Sequence, residues 1–113
     1  MVEITNPTDL SELMSFIGER YKFNGDSYPK LRGVTDPDAI KAFALSHSLK
    51  HMNKSIGVLA TESERLDHGG SMSSEALKKG TVKMFINVLK LAEELDITAE
   101  ELGTSIPEYM RSA

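Results

Sequence analysis

The sequence predicts an all-α fold: a helical bundle of two long antiparallel helices with shorter helices beside them. Two observations carry this. Apolar residues recur at steps of three and four through each extended segment, and helix-capping residues precede those segments while glycines follow them. No stretch reads as a convincing strand. At 113 residues the chain is expected to form one domain, spanning 1–113. A domain of this size buries a modest core and often completes it by oligomerising.

The first helix is expected after Asn6, with Pro7 at its first position and Leu10, Leu13, Met14 and Ile17 on one face. It fades near Tyr21. Residues 22–36, "KFNGDSYPKLRGVTD", are dense in turn formers and form the longest irregular stretch. Long loops in compact domains are often functional or mobile.

Asp36 and Pro37 open the second helix, which runs over 37–67 until His68-Gly69-Gly70 stops it. Leu45, Leu49, Met52, Ile56, Leu59 and Leu66 step mostly by fours and threes, the spacing of a bundle seam. Such a helix spans roughly 45 Å, so it needs partners along its length. Gly57 within it marks a kink or a close-packing point. The third helix is expected over 75–95. Its middle, "MFINVLKLA", is apolar on nearly every side, which points to burial on every side and to a subunit interface through Met84, Phe85, Val88, Leu89 and Leu91. A homodimer or homotetramer follows. Thr98 and Glu101 form a capping box for a short fourth helix that Gly103 stops, and Ser105-Ile106-Pro107 begins one last turn.

Composition narrows the functional classes. The chain is 40% hydrophobic and 27% charged, with a net charge of -4, which disfavours general nucleic-acid binding. Without cysteine there is no disulfide framework, thiolate zinc site or Cys nucleophile. No apolar run approaches the ~18 residues of a membrane span. The beginning "MVEITNPTDL" lacks the basic and apolar regions of a signal peptide, so a cytoplasmic protein is expected.

Two stretches carry a family resemblance. "NKSIGVLATE" resembles the first metal helix of the MazG-like, all-α nucleoside triphosphate pyrophosphatase superfamily, with Gly57, Leu59 and Ala60 matching. "MFINVLKLAEELDITAEEL" resembles the second metal helix and its exit, through Leu91, Ala92, Leu95, Ile97 and Glu100. The resemblance covers about residues 40–103 and implies a helical bundle that cleaves nucleoside triphosphates to the monophosphate and pyrophosphate. Members hold magnesium with a Glu-x-x-Glu pair and a Glu-x-x-Asp pair, because hard cations prefer carboxylate oxygen and a spacing of three puts both groups on one helix face. Carried over, those positions fall on Ser55, Val58, Gly80 and Lys83, none of them a carboxylate. No shift of three or four residues restores an acidic pair on both helices.

The expected function is therefore a binding or interaction module on a MazG-like scaffold, taking a nucleotide or other small ligand between its helices or acting only through protein contacts, with no cofactor. The alternative is a divergent metal-dependent pyrophosphohydrolase, which alone would require Mg2+. A relocated metal or general-base site would draw on His47, His51, Glu62, Glu64, Asp67 and His68, the first two lying four apart on one face. Each also has a plain structural role: polar-face histidines, and a helix end where His68 favours the dipole. Asn87 interrupts the apolar run and is expected to fix helix register, with contact to a ligand base or sugar as the other reading. Lys78, Lys79 and Lys83 form a small basic strip suited to phosphate or simply to solvent. A helix-turn-helix reading of the tail fails, because its second helix would carry Pro107, Glu108 and only Arg111 as a basic residue.

Overall fold

The computed structural model describes residues 3–112. It is all-helical, with no strand among the described residues. The order is α1 (Leu10–Arg20), a 3-10 turn (Pro29–Leu31), α2 (Pro37–Asp67), α3 (Ser74–Glu94) and α4 (Ala99–Ser112). The long helices α2 and α3 pack along each other, α1 lies against α3, and α4 touches α1.

Local chemistry explains the boundaries. Helix α1 starts later than expected, because Asp9 and not Asn6 caps it: Asp9 Oδ1 accepts from the Glu12 amide at 3.2 Å. Asn6 instead folds the preceding turn, accepting from the Thr8 amide at 3.1 Å, while Glu12 reaches back to the Asn6 amide at 2.7 Å. Asp36 caps α2 with Pro37 behind it, and Ser73 caps α3. At the end of α2, Gly69 takes φ 84° and the Gly70 amide returns to the Arg65 carbonyl at 2.8 Å. Asp96 does the same for α3 at φ 60°, with the Ile97 amide on the Ala92 carbonyl at 2.8 Å. The Thr98–Glu101 capping box forms in both directions. The helix it opens is not stopped at Gly103; it runs through Gly103 and Pro107 to Ser112. Ile106, Pro107, Tyr109 and Met110 are exposed, so the carbonyl that Pro107 cannot serve is left on a helix lying open to water.

The core is divided in two. Met14 and Ile17 of α1 meet Leu89 and Ala92 of α3, and Phe23, Leu31 and Ala44 bury the irregular stretch against α2. That stretch is a packed strap: the Phe23 ring stacks on Tyr28 at 5.3 Å and meets Phe43 at 6.2 Å.

The seam of α2 differs from the sequence expectation. The positions turned inward are Ala44, Ser48, Ser55 and Glu62. Leu45, Leu49, Ile56 and Leu66 are exposed. Small residues let the helices approach: a Cβ on Gly80 of α3 would lie 3.1 Å from Leu59 Cδ2 and 3.5 Å from the Ser55 carbonyl. Gly57, by contrast, has nothing within 4 Å of a Cβ, so it is no close-packing point. Helix α3 is likewise not buried all round: Phe85 and Val88 are exposed, and Leu89 turns into the α1 core instead of joining an outer interface.

Candidate functional site

Between α2 and α3 lies a recess of about 330 Å³ lined by Tyr21, His51, Lys54, Ser55, Lys83, Ile86, Asn87 and Lys90. Spacing assembles it. His51, Lys54 and Ser55 stand at i, i+3 and i+4 of α2, and Lys83, Ile86, Asn87 and Lys90 at i, i+3, i+4 and i+7 of α3. Tyr21, just past α1, supplies the rim.

The recess holds three lysines and no carboxylate. Lys90 is its floor. Its side chain is buried, its Nζ donates to Tyr28 Oη at 2.9 Å, and the ammonium lies 4.2 Å from the Phe23 ring centroid and 5.3 Å from that of Tyr21. Ring faces offer a cation a modest attraction, but among the described residues no carboxylate forms an ion pair with Lys90. Asn87 donates its side-chain amide to the Lys83 carbonyl at 2.8 Å, within its own helix, so it orients locally and fixes no register between helices. Both histidines sense the positive field. Burial, then His51 and Lys90, push His47 below the usual imidazole range; burial, then Lys54, Lys90 and Lys83, do so for His51. Both are therefore neutral at pH 7, which leaves the lysines as the cations of the recess.

Two of the four positions onto which the resemblance carries metal ligands, Ser55 and Lys83, line this recess; Val58 is exposed to solvent and Gly80 is sealed against Leu59. The donor set does not fit magnesium. A ring of ammonium groups repels a divalent cation and offers no anionic oxygen to hold it.

The residues proposed for a relocated metal site are not brought together. His47 and His51 have ring centroids 4.5 Å apart, but His47 belongs to the aromatic strap, stacked on Phe43 at 5.6 Å and edge-on to Tyr28 at 4.8 Å. Glu62 sits eleven residues further along α2, about 16 Å at helical rise. It is committed elsewhere: it accepts from the Ser73 amide at 2.7 Å and pairs with Arg65 at 2.9 Å, tying the end of α2 to the start of α3. Asp67 is exposed beyond it, and His68 faces Glu64 at 3.7 Å. Of the basic strip, only Lys83 reaches the recess; Lys78 and Lys79 line an adjoining groove with Glu75 and Val82, which shares Lys83 and Ile86 with the recess.

Sequence reasoning passed over Lys54, Lys90 and Tyr21. The available signal was Lys90 itself, a charge inside "NVLKLAEE" seven residues after Lys83 and so on the same helix face. Comparison with known proteins adds no relative: no family model, no curated protein sequence and no solved structure matches the chain.

Proposed function

We propose that this chain is a MazG-like bundle protein that binds a small phosphate-bearing ligand, such as a nucleotide, in the recess between α2 and α3, without pyrophosphohydrolase activity and as a homo-oligomer. The observation that supports this reading is the lining itself: Lys54, Lys83 and Lys90 converge on a recess whose lining carries no carboxylate. In a magnesium-dependent hydrolase the metal neutralises phosphate charge and activates water. Here lysine ammonium groups meet the phosphate directly, and no carboxylate stands in the recess to take a proton from water. The volume suits a small ligand. Ser55 and Asn87 supply hydrogen-bonding groups, neutral His51 adds a donor and an acceptor, and exposed Tyr21 offers a ring face at the mouth.

Titration calorimetry with inorganic phosphate, a nucleoside monophosphate and a nucleoside triphosphate, each with and without Mg2+, tests this. Binding is expected without metal, and Lys83→Gln is expected to weaken it about tenfold, the loss of one charge-assisted contact. Release of pyrophosphate from a triphosphate in the presence of Mg2+ would instead favour the divergent hydrolase. No binding of any anion would end the ligand reading.

A further inference from the structure

The α2–α3 pair has a second face, on the side opposite the basic recess. One residue along a helix is a turn of about 100°. The partners of the antiparallel pair are set by Lys41 bonding Asp96 at 2.9 Å and Ser55 meeting Gly80. Moving one position on from recess or seam residues therefore carries both helices round to the same outer side: Ala44 to Leu45, Ser48 to Leu49, Ser55 to Ile56, and Asn87 to Val88. All four outer residues are large and apolar, and they are 42, 48, 49 and 42% exposed. Phe85 at the border and Leu95 at the end extend the face. Its stretch from Leu45 to Ile56 and across to Val88 carries no charge: on α2 Lys54 lines the recess, and on α3 Lys83 and Lys90 line the recess, Glu93 lies against Gly18 of α1 and Glu94 shares a groove with Lys41 and Asp96 at the far end of the pair.

From this face we infer that a second copy of the chain covers it, forming a two-fold dimer. The inference rests on the oligomeric reading above and names its surface. Surface area argues for it. A folded monomer of 12.5 kDa exposes about 6,200 Å², whereas this chain exposes 8119 Å². The excess of about 1,900 Å² is more than the about 800 Å² that one partner contributes to a standard interface. The Cα radius of gyration, 16.6 Å, likewise exceeds the about 13 Å of a compact chain this long. A two-fold interface must also be self-complementary, and a charge-free apolar strip meets its own copy without opposing like charges.

Sedimentation equilibrium on the full chain tests this, paired with far-ultraviolet circular dichroism. The unaltered chain is expected at twice 12.5 kDa. The double variant Leu49→Glu/Val88→Glu is expected at the monomer mass with its helical signal and its phosphate binding kept, since the recess lies on the other side. If that variant fails to fold, Leu49→Ala/Val88→Ala keeps helix-forming residues and is expected to raise the dimer dissociation constant about tenfold. A monomer at every concentration overturns both the oligomeric reading and this face. A dimer whose dissociation constant is indifferent to both double variants overturns the face alone, and points to the exposed Ile106, Tyr109 and Met110 of α4.

Discussion

At the residue scale, single positions in the α2–α3 pair carry opposite expectations. Glu62 is 3% exposed and holds both the Ser73 amide and Arg65. Truncating Glu62 to Ala leaves the half-buried Ser73 amide without its acceptor and should cost about 1–2 kcal/mol in urea unfolding. Gly57→Ala should do the reverse. The site is open and helical, so removing glycine's backbone freedom should stabilise by about 0.5–1 kcal/mol in the same assay. The histidines set a pH dependence. Both have folded values depressed below 6.5, so the unfolded chain takes up protons first as pH falls. Their contribution is complete above about 6.5 and is lost progressively below it, until the folded values are passed. Glu93 and Glu94 act the other way: burial raises both, so their contribution is present below about 4.5 and is lost as pH rises through the folded values. Urea midpoints should therefore fall between pH 7.5 and pH 6. His47→Phe, which suits the aromatic strap, should flatten that fall.

At the element scale, most of the fold was legible because capping chemistry is local. Asp36-Pro37, His68-Gly69-Gly70 and the Thr98–Glu101 box each act over a few residues, and each appears where its sequence places it. Capped by Ser73, α3 begins at Ser74, one residue ahead of the expected start. What sequence could not decide was competition between equals. Asn6 and Asp9 both suit a helix start, and Glu12, reaching back to Asn6, decides for Asp9. Gly103 and Pro107 are breakers by type, but an exposed helix tolerates both. The leucine series of α2 was legible as an apolar stripe; its partner was not. Periodicity marks a face without saying what covers it, and Gly80 lets Leu59 and the α2 backbone come close enough for Ala44, Ser48 and Ser55 to take the seam. The recess was half legible. Ser55 and Lys83 were singled out by the sequence resemblance, but Lys54 and Lys90 converge only once two segments some thirty residues apart are laid side by side. At the end of α2, Gly69→Ala forces a side chain into φ 84° and should lower the thermal midpoint by about 4 °C, for a cost near 1 kcal/mol.

At the scale of the whole molecule, charge and apolar surface are segregated. The chain carries a net charge of -4, but lysines gather on one side of the α2–α3 pair and apolar side chains on the other. No helix among the described residues is long and apolar enough to cross a membrane. Affinity for phosphate should fall as salt rises, because an open recess feels screening within about 10 Å at 0.1 M ionic strength. Melting at several protein concentrations provides a further check: dimerisation through the outer face should raise the thermal midpoint with concentration, whereas a monomer gives one value throughout. The back-to-back placement of recess and apolar face has a consequence for valency. In a dimer joined through the outer faces, the two recesses open in opposite directions, so one short polyphosphate cannot chelate both. Each subunit of such a dimer would take its own ligand without avidity, and a long polyanion would link separate dimers into strings instead of gripping one.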